Sequence, residues 1–204
     1  MKHYIRNTVS ALAVTGALSA SIALAQDKSA AATPDPKMEE MMKKAEAAGK
    51  PGAAHKALEP LVGEWNAEVK TWMAPDAPPA VSKATAKSSW VMEGRFVREE
   101  FHGEFMGKPF HGMSLMGYDN TKKKYNTVWV DDMSTAMFTS EGEAGEGGKV
   151  FTLEGKCDCP MTGEKDKVMK QVFRIVSNDK HVFEMHEPGK GKNSKTMEIT
   201  YTRK

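Results

Sequence analysis

Leu58-Glu59-Pro60-Leu61-Val62-Gly63-Glu64-Trp65 is the stretch on which the fold turns. It stands just after a helical pattern and just before a long series of short alternating runs. Gly63 lets the chain turn tightly into a first strand, and the Trp65 indole is large enough to plug the closed end of a small antiparallel barrel. A barrel of that kind either encloses a small ligand or is filled by its own side chains.

Downstream of Gly63 the apolar period changes from 3.6 to 2. Strand-like runs fall at 63–72, 82–92, 95–105, 109–118, 124–131, 134–141, 149–158, 167–177, 181–187 and 195–203. Turn signals separate them, among them Glu93-Gly94, Gly107-Lys108-Pro109, Asp119-Asn120 and Asn178-Asp179. No long helical pattern intervenes, so antiparallel connections are expected in preference to parallel crossovers. The expected fold is all-β: an antiparallel up-and-down barrel of about ten strands, residues 59–204, preceded by a helical segment over 35–58.

That segment carries its own start and stop. Asp35 is placed as N-cap and Pro36 at the first helical position, with Gly49 as stop and Pro51 just beyond. Met38, Met41, Met42, Ala45 and Ala48 share one face, which is expected to pack on the barrel or cap one end. Glu39/Lys43 and Glu40/Lys44 form i,i+4 pairs in the favourable order. A second short helical turn through His55 and Leu58 leads into the Gly-Glu-Trp entry.

The N-terminus addresses the compartment. Lys2 and Arg6 precede an apolar run from Val9 to Leu24, and Ala23-Leu24-Ala25 supplies a small-x-small cleavage pattern. The run is interrupted and short for a membrane span, so residues 1–25 are expected to be a cleaved signal peptide and 26–34 a flexible leader. The mature chain would then be periplasmic or secreted, without a membrane anchor. Removing Lys2 and Arg6 from 29 basic residues leaves 27, against 27 acidic ones, for a net charge of zero. Neither that balance nor any basic stripe with interleaved aromatics speaks for nucleic acid.

Several motifs together resemble one bacterial family. They are Leu61-Val62-Gly63-Glu64-Trp65, Trp90-Val91-Met92-Glu93-Gly94-Arg95-Phe96-Val97, Gly117-Tyr118-Asp119, the Tyr125/Trp129/Asp131/Met133/Thr135 spacing, and Met197-Glu198-Ile199-Thr200-Tyr201-Thr202-Arg203. The family is known as domain of unknown function 1579, and the resemblance covers about residues 55–203. It implies a calycin-type, lipocalin-like barrel and brings no catalytic residue with it.

The remaining candidates rest on chemistry alone. Trp65, Trp90, Arg98, Glu100, His102, Trp129 and Asp131 are candidate ligand contacts in the lumen. For each tryptophan core packing is the commoner role, and solvent-facing alternation gives the same pattern of His and carboxylate. Trp129 is in phase with Tyr125, Thr127 and Asp131, whereas Val128 and Val130 face the other way, so either face of that strand can be the inner one. Cys157-Asp158-Cys159 admits a strained disulfide at a strand end, a soft-metal site joined by His186, or two small buried thiols. Met38, Met41 and Met42 could hold Cu(I) through thioethers, although Met stripes at helical spacing are more often core filler.

No phosphate loop, nucleophile elbow or haem-attachment motif is present. No cofactor and no catalytic residue are expected. The leading function is non-covalent binding of a small, largely apolar molecule in the barrel, and the alternative is periplasmic binding of copper or zinc. If the export reading holds, protein recovered from the periplasm has an intact mass lacking the first 25 residues. Full-length protein confined to the cytoplasm refutes it.

Overall fold

The computed structural model describes residues 35–74, 77–159, 162–189 and 194–204. The expected signal peptide and leader, 1–34, lie outside the described residues. Ten strands follow the helical segment: β1 (Gly63–Thr71), β2 (Ala80–Val91), β3 (Phe96–Phe105), β4 (Lys108–Asp119), β5 (Lys124–Asp131), β6 (Phe138–Ala144), β7 (Val150–Cys157), β8 (Lys167–Ser177), β9 (Lys180–His186) and β10 (Lys195–Arg203). Each pairs antiparallel with its sequence neighbour, and β1 closes on β10 in a register running from Trp65 opposite Arg203 to Thr71 opposite Met197. The result is a closed up-and-down barrel, which leaves no sheet edge unpaired.

Strand boundaries agree with the alternation except at β6, which starts at Phe138 and not at 134. The Asp131 carboxylate accepts the Met133 amide at 3.0 Å and the Ser134 hydroxyl accepts the Ala136 amide at 3.0 Å. These side chains satisfy the backbone in a turn, so Met133–Met137 leaves the ladder despite its alternating look. Phe138 then pairs with Trp129.

Before the barrel, helix α1 spans Pro36–Gly49, with the Asp35 side chain accepting from the Lys37 amide at 2.9 Å. The sequence places its methionine face against the barrel; the structure corrects this, because no residue of α1 is buried. Among the described residues, only its C-terminal end is tied down. Asn120 donates to the carbonyls of Ala48 and Lys50 at 2.8 and 2.9 Å, and Arg95 Nε donates to that of Gly49 at 2.9 Å.

The barrel is plugged instead by α2 (Ala53–Lys56) and a 3₁₀ turn at Glu59–Leu61, which bring Leu58 and Leu61 into the core. Tyr125 Oη donates to the Ala54 carbonyl at 3.0 Å, and Trp90 Nε1 donates to the Glu59 carboxylate at 2.7 Å. Two apolar clusters fill the lumen. One gathers Leu58, Leu61, Val97, Met116, Tyr125, Phe151, Leu153 and Ile175 beneath the plug, and the other is built around Trp65, Phe101, Phe183, Ile199 and Tyr201.

Trp65 is wholly buried and donates its Nε1–H to the Leu61 carbonyl at 3.0 Å. The Arg203 guanidinium lies 4.2 Å over the indole and also donates to the Val62 and Asn178 carbonyls. Gly63 makes this possible. Its φ is +145°, and a Cβ there would stand 2.1 Å from Arg203 Nη1. Trp65→Ala should therefore lower stability by about 3–5 kcal/mol, read as a shift of the urea midpoint. An unchanged midpoint would contradict the role assigned to the indole.

Candidate functional site

The lumen-facing set differs from the one expected. On β3, Val97 and Phe101 are buried, so Glu99 shares their inward face. Arg98, Glu100 and His102 alternate with them and lie on the outer surface, which corrects their placement in the lumen. Arg98 there forms an ion pair with Glu100 at 3.1 Å, and His102 stacks on His111 with centroids 4.5 Å apart. Trp65 and Trp90 both serve the plugged end, through Leu61 and Glu59. Trp129 and Asp131 stand on the inward phase at the other end, at the finish of β5.

Two sites emerge. The first is a cavity of about 30 Å³ between the two apolar clusters, lined by Ser88, Glu99, Ser114, His181 and Tyr201 among apolar neighbours. It has room for no more than a water or two. Tyr201 Oη donates to Glu99 Oε1 at 3.3 Å and Ser88 Oγ to Oε2 at 3.5 Å. Burial nevertheless pushes the Glu99 carboxyl up to about 7, because these hydrogen bonds only partly replace water.

His181 stacks on Tyr201 at 4.2 Å and meets the Trp65 edge at 4.4 Å. Burial first, and then the Arg203 charge, hold its pKa down at about 3, and its Nδ1 has no hydrogen-bond partner. These residues were legible in one respect. Glu99 lies in phase with Val97 and Phe101, and His181 with Phe183, but a charged or polar residue in an apolar phase is easily read as a surface position.

The second site is a pocket of about 390 Å³ where β5, the β5–β6 turn, and the β7–β8 hairpin meet. Trp129, Met137 and Phe138 form its apolar wall, and Asp131, Lys156, Asp158 and Asp166 its polar rim. Trp129 is set by three things. Its Nε1 donates to Asp131 Oδ2 at 2.8 Å; its ring stacks near-parallel on Phe110 at 6.2 Å; and Gly112 leaves space for it. A Cβ on Gly112 would lie 2.2 Å from the indole. Asp158 is kept below the usual carboxylate range by Lys165, which donates to it at 2.8 Å, and by the Asp166 amide.

Cys157 lines the same pocket and is a free thiol. Of the three arrangements the sequence admits, the Cys157–Cys159 disulfide is therefore not the one formed. Burial raises the Cys157 thiol above its ordinary value, although Lys167 on the partner strand pulls the other way. His186 does not join the cysteines. It falls on the outer face of β9, where it meets Glu184 at 3.5 Å and Ser194 at 3.3 Å, while Cys157 is in the inward phase of β7. Among the described residues no group of three His, Cys, Asp or Glu side chains could hold a metal ion.

A closed ten-stranded antiparallel barrel, plugged at one end and grooved at the other, is thus the class of protein defined here. The chain belongs to the family described as "Protein of unknown function (DUF1579)", whose model matches residues 50–203. Among solved structures it is similar in fold to the crystal structure of Rv2717c from M. tuberculosis, at 17% identity and a TM-score of 0.53, covering 76% of this chain and 99% of that one. A redesigned beta barrel also matches, at 10% identity and a TM-score of 0.40, over 72% of this chain and 95% of that one. No curated protein matches the chain.

The two buried titratable groups have opposite effects on stability. Glu99, raised from 4.5 to about 7, contributes stability that is full below pH 4.5 and is lost as pH rises through 7. His181, lowered from 6.5 to about 3, contributes stability that is full above pH 6.5 and is lost as pH falls through 3. Between 4.5 and 6.5 the two slopes cancel. Glu99→Gln should therefore make stability rise across that window and exceed the parent at pH 8 by on the order of 3 kcal/mol. Urea titrations at a series of pH values check this; superimposable profiles would contradict it.

Proposed function

We propose that this protein is a non-catalytic binding protein that holds a small, largely apolar molecule at the pocket bounded by Trp129 and Phe138. The observation that carries the reading is the pocket itself. At about 390 Å³ it falls in the size range of small-molecule sites, with an aromatic wall and a few convergent polar groups. Its rim holds three carboxylates, Asp131, Asp158 and Asp166, against one ammonium, Lys156. That balance favours a neutral or cationic ligand over an anion. The lumen itself is filled, so the binding reading moves from the middle of the barrel to its end. Removal of residues 1–25 would place this binding activity in the periplasm or outside the cell.

N-phenyl-1-naphthylamine, a neutral apolar fluorophore, tests the proposal. Its emission should rise and saturate on addition of the protein, and Trp129→Ala should weaken binding roughly tenfold or more, as loss of a buried aromatic contact does. Paired Cys157→Ser and Cys159→Ser substitutions should leave binding in place, because the aromatic wall and not the thiols supplies the contact. At a hundredfold excess over its dissociation constant the dye should also stabilise the fold by about 2.7 kcal/mol. A titration without saturation, or a Trp129→Ala protein that binds as the parent does, would refute the assignment.

A further inference from the structure

Helix α1 presents a problem that packing does not solve. Met38, Met41 and Met42 lie at i, i+3 and i+4, the spacing of one helical face, yet they are 53%, 57% and 64% exposed. A methionine stripe at this spacing is ordinarily core filler, and here no residue of the helix is buried. Three hydrogen bonds from Arg95 and Asn120 hold the helix at Ala48–Lys50, so the turns bearing the methionines project from the barrel.

The wider surface adds a second observation, since five exposed methionines lie outside α1. Among the described residues, eight of the eleven exposed large apolar side chains are methionines, and the other three are valines. No leucine, isoleucine or phenylalanine is among them. A surface selected only for apolar area would use those residues as readily. What methionine alone supplies is the thioether sulfur, a soft donor suited to Cu(I) and comparable monovalent cations.

We propose that Met38, Met41 and Met42 form a thioether site for a soft monovalent cation of the Cu(I) class. Neighbouring Cβ atoms at this spacing lie about 5–6 Å apart, and each side chain has three rotatable bonds with which to converge on one ion. The flanking charges do not oppose a cation: Lys43 and Lys44 are each paired with a glutamate, Glu39 and Glu40, at 2.6 Å, and the remaining ammonium of the helix, Lys37, is outnumbered by Asp35 and Glu46. Thioethers carry no proton in this range. Binding therefore releases none, and affinity should not change between about pH 5 and 8, in contrast to thiolate or imidazole sites. The site is distinct from the Trp129 pocket and does not depend on it.

Silver ion in chloride-free buffer is the probe, added to the whole chain carrying Cys157→Ser and Cys159→Ser so that no thiol competes. With methionine methyl groups ¹³C-labelled, the ε-methyl signals of Met38, Met41 and Met42 should move together and saturate at one equivalent. Met38→Leu, Met41→Leu and Met42→Leu combined keep the apolar area and the helix propensity. That variant should lose one bound equivalent and bind Ag(I) at least roughly tenfold more weakly. Far-UV circular dichroism should be unchanged, because the three residues are exposed. Independent shifts of the three signals, saturation at other methionines only, an affinity that falls with protonation, or a leucine variant that binds like its parent would each overturn the proposal.

Discussion

The insertion of Trp65 at the junction of plug and barrel is the constraint on which the rest of the structure depends. Its indole is covered on one face by Arg203, the final residue of the last strand, and bonded at its edge to Leu61 in the 3₁₀ turn. Trp65 and Arg203 are also opposite each other in the ladder that joins the first strand to the last. One aromatic ring therefore ties the closure of the barrel to the seating of its plug. This contact is non-local, so its ordering cost is met only when the whole meander has assembled.

With the barrel closed and the plug seated, the interior has little space left, and what it contains is unusually polar for a core. Thr127, Ser140 and Gln171 are buried and bond to one another at 2.6–3.1 Å. Each would be costly alone, and the network offsets that cost by mutual satisfaction. Glu99 and His181 are less completely compensated, and the displaced pKa of each records the deficit. With the core filled and polar-studded, the larger space lies at the barrel end, where strand termini and turns converge around Trp129.

The difference between the plugged end and the pocket end follows from the same geometry. Aromatic residues at the plugged end are bonded to the turn they hold, as Trp90 is to Glu59. Trp129 instead keeps its indole against a pocket because Gly112 makes room and Asp131 fixes its edge. Helix α1 belongs to neither part. It is anchored by carbonyl contacts at one end only, and its methionines face solvent.

Much of this was written in the amino-acid order. The caps of α1, the Gly-Glu-Trp entry and the ten alternating runs are local signals, and local signals specify element type, approximate boundary and antiparallel connection. The first strand declares its inner face through Ala67 beside Trp65, whereas on the third the charged Glu99 between Val97 and Phe101 turns the expectation to the wrong face, that of Arg98, Glu100 and His102. Three things needed the tertiary structure. The fifth strand carries valines on one side and Tyr125, Thr127 and Trp129 on the other, so polarity could not choose its inner face; the buried partners Ser140 and Gln171 on other strands decide it. Whether a methionine stripe is core or surface depends on a neighbour, and periodicity states only that a face exists. The size of the lumen depends on how side chains from ten strands interdigitate, and that is a property of volumes brought together by closure. Sequence specifies which groups are available along the chain; closure of the barrel decides which of them meet.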